Sequence, residues 1–274
     1  MILKCLAENN SISDQFKSEH GLSLYAEVGR HQLLFDVGAS DLFAANAEKM
    51  NVDLRKVDTL ILSHGHYDHG GGLKTFLDLN ERAKIYLHPE AFKEHYAAQK
   101  DGGTAYIGID QKLLTKSQLI FTDPITKIND VLTVFSAVSG DVFSPSGNSE
   151  LFMMENNELK ADNFNHEQNL VIYESGKRIL IAGCAHRGIV NIMNHMETIG
   201  LGGPDVVIGG FHLYARSMDK TEPEEIVQAL GHELLNRKAI FYTCHCTGMK
   251  AYQQLKTVMG DRIHYLSTGQ ILEL

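Results

Sequence analysis

Short apolar runs recur along the chain and stop at polar, glycine-rich turns. Leu22 to Val28 and His31 to Asp36, joined by Gly29-Arg30, read as a hairpin of two strands. Asp41 to Met50 places Leu42, Phe43, Ala47 and Met50 at helical spacing and leads into an apolar strand at Thr59 to Leu62. Beyond the glycines at 70 to 72, the pattern predicts a short helix at Leu73 to Leu79, a strand at Lys84 to Leu87 and a helix from Pro89 to about Gln99. Residues 101 to 165 are less regular. Strands are predicted there at Gln118 to Phe121 and Leu132 to Ala137, between Gly-, Ser- and Asn-rich loops of the kind that cover a site.

The last third alternates strands at Asn169 to Tyr173, Arg178 to Ala182, Asp205 to Ile208 and Ala239 to Tyr242 with helices at Gly188 to Ile199 and Pro223 to Asn236. Such alternation implies layered α/β architecture with its chemistry at strand ends. Thr221, followed by Pro223 and Glu224, offers an N-cap with a capping-box acid for the second of those helices. No internal repeat or linker interrupts the chain, so residues 1–274 are expected to form a single domain.

Composition narrows the partners. A formal charge of -9 supplies no positive field to steer polyanions, so neither nucleic acid nor an anionic membrane is an expected partner. Met1 to Asn10 lacks the apolar stretch of a signal peptide, and no segment is apolar enough to span a bilayer. Four cysteines, with Cys244 and Cys246 a single residue apart, do not form the framework of a small secreted protein. A cytoplasmic location is the expectation.

The strongest chemical signal is the run His64-Gly65-His66-Tyr67-Asp68-His69-Gly70, set directly after an apolar strand. Imidazole and carboxylate are good ligands for zinc and related ions, and a loop at a strand end can aim several of them at one point. Four ligands so close in sequence do not converge comfortably on one tetrahedral ion, so two adjacent ions are the natural solution.

This run resembles the hallmark His-x-His-x-Asp-His of the metallo-β-lactamase superfamily, and the similarity extends over nearly the whole chain. The resemblance implies the four-layer αββα sandwich of that superfamily, with His64 and His66 on a first metal and Asp68 and His69 on a second. Leu33-Leu34-Phe35-Asp36-Val37-Gly38 is similar to the family's strand-Asp-x-Gly element, which makes Asp36 an orienter of the metal loop; capping of the following turn is the alternative. His166, just before a strand, matches the family's third histidine on the first metal, and His245 matches its last histidine on the second. Where the family usually has a bridging aspartate, this chain has Cys184.

Either the Cys184 thiolate binds the second metal or His186, two residues on, replaces the aspartate; His186 is slightly favoured, and Cys184 as a buried packing residue stays open. Cys244 and Cys246 would point away from His245 in an extended chain and are expected to pack. His212, in Gly209-Gly210-Phe211-His212, could line the pocket as an acid or substrate contact, or be structural. His20 has a similar but weaker setting. His31, His88, His95, His195, His232 and His264 are expected to be surface or packing residues.

Glu19-His20-Gly21, His166-Glu167-Gln168, Gly183-Cys184-Ala185-His186, Gly209-Gly210-Phe211-His212 and His245-Cys246-Thr247-Gly248 together resemble a closer subgroup of metal-dependent hydrolases, the one to which the archaeal dihydropterin-methyl-ribofuranosyl-aminobenzene-phosphate synthase is assigned. The implied activity is that of a hydrolase, or a related transferase, acting on a small, phosphorylated or pterin-like molecule. Two divalent ions, zinc by default and manganese or iron otherwise, would lower the pKa of a water and polarise a carbonyl or phosphoryl oxygen, with Asp68 orienting the nucleophile. A di-iron redox enzyme and a metal-binding regulatory protein without turnover are the rival expectations, and a nuclease is a weaker one.

Overall fold

The computed structural model describes all residues, 1–274. Two seven-stranded sheets lie face to face. The first runs in the order Ile271–Glu273, Ile2–Ala7, Ser23–Val28, His31–Phe35, Thr59–Ile61, Lys84–Leu87 and Leu119–Phe121. The second runs Ile263–Tyr265, Ile240–Thr243, Val206–Gly209, Lys177–Ile181, Asn169–Glu174, Leu132–Phe135 and Ile125–Lys127.

The period-2 geometry of a strand explains how one apolar run serves two interfaces. Leu33, Phe35 and Ile61 face the other sheet, where they meet Leu170, Ile181 and Ile208. Their neighbours Leu34, Leu60 and Leu62 face outward and pack with Phe43, Ala47, Leu73 and Phe76 from helices Leu42–Lys49 and Leu73–Leu79. The second sheet does the same. Val171, Leu180, Val207 and Phe241 turn away from the first sheet onto helices Ile189–Thr198, Glu224–Leu235 and Met249–Met259. Three cores thus separate four layers, αββα. No helix is long and apolar enough to cross a membrane.

Several expected elements change. Pro89 to Gln99 is not one helix: a single 3-10 turn at Pro89–Phe92 gives way to a strand at His95–Ala98. That strand joins a third sheet, ordered Glu158–Ala161, Leu151–Glu155, His95–Ala98 and Thr104–Tyr106, through pairing of Ala97 with both Leu151 and Ala105. Pairing across more than fifty residues of sequence decided the conformation, as tertiary context does for short ambiguous segments. Thr221 is no N-cap. It closes a two-stranded hairpin with Tyr214, and the helix starts at Glu224 with Pro223 at its N-cap and two glutamates in its first turn. Strands Ile2–Ala7 and Ile271–Glu273 and helix Met249–Met259 were not anticipated.

Both central sheets are parallel where it matters for the site. His31–Phe35 pairs parallel with Thr59–Ile61, and Lys177–Ile181, Val206–Gly209 and Ile240–Thr243 pair parallel in turn. Their C-terminal ends deliver Asp36, His64, Cys184, His212 and His245 to one place, the usual location of a site in parallel sheets.

Candidate metal centre

Three sets of side chains meet at these strand ends. The ligand atoms of Asp68, His69, Cys184 and His245 lie within 4.8 Å of one another, as do those of His64, Cys184 and His186, and those of His64, His66 and Asp68. Cys184 therefore stands between the groups.

The hydrogen bonds fix which ring nitrogen of each histidine faces inward. His64 Nδ1 donates to Ser63 Oγ at 2.8 Å, and Ser63 Oγ donates to Asp36 Oδ2 at 2.7 Å. His69 Nδ1 donates to the same Asp36 oxygen at 2.7 Å. His245 Nδ1 donates to Asn9 Oδ1 at 2.8 Å, and His186 Nδ1 to Asn148 Oδ1 at 3.0 Å. In each ring the Nε2 lone pair is left for the interior. His64 Nε2 and His186 Nε2 are buried without any partner.

His69 Nε2 and His245 Nε2 lie 3.2 Å apart, and Cys184 Sγ is 3.1 Å from His69 Nε2. Asp68 Oδ2 lies 3.2 Å from His245 Nε2. Acceptors crowded against acceptors require a cation or a proton between them. Without metal, the proton does it: burial pulls the His69 imidazole down, but Asp36 and Asp68 carry it up to about 9. Burial likewise opposes the Asp68 charge, yet His69 and a hydrogen bond from His20 hold that carboxyl well below its usual range. His20 Nε2 sits 3.2 Å from Asp68 Oδ2, so this weakly signalled histidine orients the carboxylate. The donor set, nitrogen, thiol sulfur and carboxylate oxygen, suits zinc and related ions.

Two placements differ from those expected. His186 falls with His64, not with the second group, because the strand ends at Ile181 and Ala185 adopts a left-handed φ of 54°. The strand does not continue through Cys184 and His186, yet the turn still brings their ligand atoms within 4.8 Å of each other. His166 stands outside the His64 group. Its Nδ1 accepts the Gly65 N–H at 2.9 Å and its Nε2 faces Asp162 Oδ2 at 3.3 Å. Burial, with His95 beside it, pulls this ring down to about 3, so it is neutral.

Cys244 packs between the sheets as expected, but Cys246 does not merely pack. The chain at His245–Thr247 is a 3-10 turn with His245 at φ 50°, and Cys246 reaches the wall of the cavity with its ligand atom near those of Cys184 and His212. His95 is fully buried, 2.9 Å through Nδ1 from Asp162 Oδ2. Sequence reading missed Asp162, Asn9, Asn148 and Glu8, whose carboxylate accepts the His245 N–H at 2.9 Å. Only Asp162 carried a signal, its spacing of four from His166.

The centre floors a cavity of about 490 Å³. Tyr67, Tyr106 and Tyr214, with apolar Ala97, Ala105, Ile107 and Leu151, form its walls; Arg216 stands at its mouth and donates to Tyr67 Oη at 3.1 Å. The third sheet supplies Ala97, Ala105, Tyr106 and Leu151 of this lining, and the Tyr214–Thr221 hairpin supplies Tyr214 and Arg216. His212 also lines the cavity, its ring centroid 4.2 Å from that of His186, with neither ring nitrogen partnered. Asp36, Ala185, His212 and His245 all have left-handed φ between 48° and 58° without being glycine, a concentration of backbone strain at the site.

Fold and site define a class, and comparison with known proteins agrees: residues 20–217 match the family described as the metallo-beta-lactamase superfamily, and the chain belongs to it. A solved structure described as Tm1679, a metal-dependent hydrolase of the beta-lactamase superfamily, is 33% identical, with a TM-score of 0.81 over 100% of this chain and 99% of that one. The 7,8-dihydropterin-6-methyl-4-(beta-D-ribofuranosyl)-aminobenzene-5'-phosphate synthase of Methanocaldococcus jannaschii is 28% identical over 94% of this chain and 91% of its own. Zn(2+)-bound PqqB from Methylobacterium extorquens, 12% identical with a TM-score of 0.61 over 100% of both chains, shares the fold.

Proposed function

We propose that the protein is a metal-dependent hydrolase, or a related transferase, with two ions at this centre. His64, His66 and His186 would hold one, Asp68, His69 and His245 the other, and Cys184 would stand between them. The observation that carries this reading is the set of inward lone pairs on His64, His69, His186 and His245, each fixed by a donor bond on the ring's other nitrogen. When bound, the ions would supply Lewis acidity, lowering the pKa of a water and stabilising negative charge at a carbonyl or phosphoryl oxygen.

The chain's own residues do the rest. Asp68, aimed by His20, orients the attacking oxygen through its carboxylate. His212, with both ring nitrogens free at the cavity wall, gives a proton to the leaving group. Three tyrosines and the Arg216 guanidinium fit a flat ring bearing an anionic group. The archaeal relative's name contains a dihydropterin, an aminobenzene and a 5'-phosphate, which supports a substrate of that kind.

The test is a screen of zinc-loaded protein against phosphoesters, lactones and aryl esters, with Asp68→Ala and chelated protein alongside. Turnover that chelator abolishes and zinc restores is expected. Full zinc occupancy with no turnover on any class would favour a metal-binding regulatory protein, and bound iron with a visible spectrum would favour redox chemistry.

A further inference from the structure

A second buried cluster lies behind the first. His66, His95, Asp162 and His166 are all buried and offer ligand atoms within 4.8 Å of one another. Asp162 Oδ2 is 2.9 Å from His95 Nδ1, 3.3 Å from His166 Nε2 and 3.8 Å from His66 Nε2. This is the spacing of a tetrahedral zinc site, whose ligands stand roughly 3.3 Å apart when the bonds are about 2.0–2.1 Å.

The hydrogen positions decide against a metal there. Gly65 N–H donates into His166 Nδ1 at 2.9 Å and occupies that lone pair. A neutral ring then carries its one hydrogen on Nε2, the atom facing Asp162. A protonated nitrogen cannot be a ligand. His95 donates to the same carboxylate, and Asp162 Oδ1 accepts the Phe164 N–H at 2.7 Å, so Asp162 collects donors from every side.

We propose that Asp162 and His166 are positioning residues that aim the metal loop, and that neither binds an ion. This rests on the metal-centre reading above. Asp162 Oδ2 stands 3.8 Å from His66 Nε2, too far for a hydrogen bond, so its charge, held in place by His95 and the Phe164 N–H, acts on that ring electrostatically. His166 pins the backbone between His64 and His66. The pinned segment is closely packed: a Cβ on Gly65 would lie 2.2 Å from the Ala91 carbonyl oxygen and 2.9 Å from His95 Nε2. Loss of a group that orients a metal-binding histidine typically lowers metal affinity about 10–100-fold.

The experiment titrates zinc into metal-free wild type, His166→Gln and Asp162→Asn against a chromophoric chelator, with circular dichroism to confirm folding. Both variants are expected to bind as many ions at saturation as wild type, one of them about 10–100-fold more weakly. An ion missing at saturation from His166→Gln would make His166 a ligand and overturn the proposal, as would unchanged affinity in both variants. Wild type that takes up no zinc would sink the metal-centre reading itself, a distinct result. Should the variants not fold, ¹⁵N–¹H spectra of the zinc-loaded wild-type imidazoles decide: His166 is expected to keep a proton on Nε2, and a zinc-shifted Nε2 overturns the proposal.

Discussion

His69 Nδ1 lies 2.7 Å from Asp36 Oδ2, and that carboxylate also accepts from the N–H and the hydroxyl of Ser63, each at 2.7 Å. One buried side chain thereby aims two histidines, His69 directly and His64 through Ser63. Asp36→Asn keeps the size but turns one acceptor oxygen into a donor facing donors. The expected outcome is zinc affinity weaker by about 10–100-fold with a lowered melting temperature. Unchanged affinity beside a lowered melting temperature would reduce Asp36 to a turn residue.

The raised pKa of His69 sets opposite pH trends for stability and for metal uptake. Its folded value of about 9 stands above the ordinary 6.5, so the metal-free fold is stabilised fully below about pH 6.5 and loses that stabilisation as pH rises through about 9. Zinc must expel this proton, and also that of the Cys184 thiol, which burial pushes up. Metal-free melting temperature is therefore expected to fall between those pH values while apparent zinc affinity climbs. Calorimetry at pH 7 in buffers of different ionisation enthalpy should register release of about two protons per chain. Release of none would mean that His69 and Cys184 are not ligands.

The parts of this site legible in sequence are those whose chemistry is packed into a few residues after an apolar strand. His64 to His69 announce themselves in this way, and the alternating apolar faces around Leu33 to Phe35 and Ile179 to Ile181 announce the layers. Asn9 and Asn148 do not. Each acts on a histidine more than thirty residues away, and a lone polar residue in a loop carries no periodicity. Asp162 offers only its spacing of four from His166. The placement of His186 beside His64, and of His166 behind Gly65, was hidden for a different reason. It depends on a left-handed turn at Ala185 and on a backbone N–H at Gly65, neither of which side-chain pattern encodes.

Cys184 and His186 separate by how many groups each serves. Cys184 offers its sulfur to both ligand groups, His186 only to the one with His64. His186→Ala is expected to lose tight binding of one ion and keep the other. Cys184→Ser is expected to weaken both, and to remove the thiolate absorption band from the cobalt-substituted protein. A cobalt spectrum with no thiolate band in wild type would return Cys184 to the packing role.

Arg216 is the one cationic side chain lining the cavity, exposed at its mouth and held by Tyr67 Oη at 3.1 Å. Glu150 lines the same cavity but is bonded to Ser217, which leaves the guanidinium free to meet an incoming anion. A hydrogen bond to a charged group contributes about 1.5–3 kcal/mol, and screening at an exposed site brings the effect toward the lower figure. Arg216→Ala is thus expected to raise KM roughly tenfold for a phosphorylated substrate, with kcat nearly unchanged, because the contact forms equally in ground and transition states. Added salt should raise the wild-type KM towards that of the variant. If the variant instead loses kcat with KM unchanged, Arg216 acts on the reacting group, and the anionic end of the substrate lies at the metal centre.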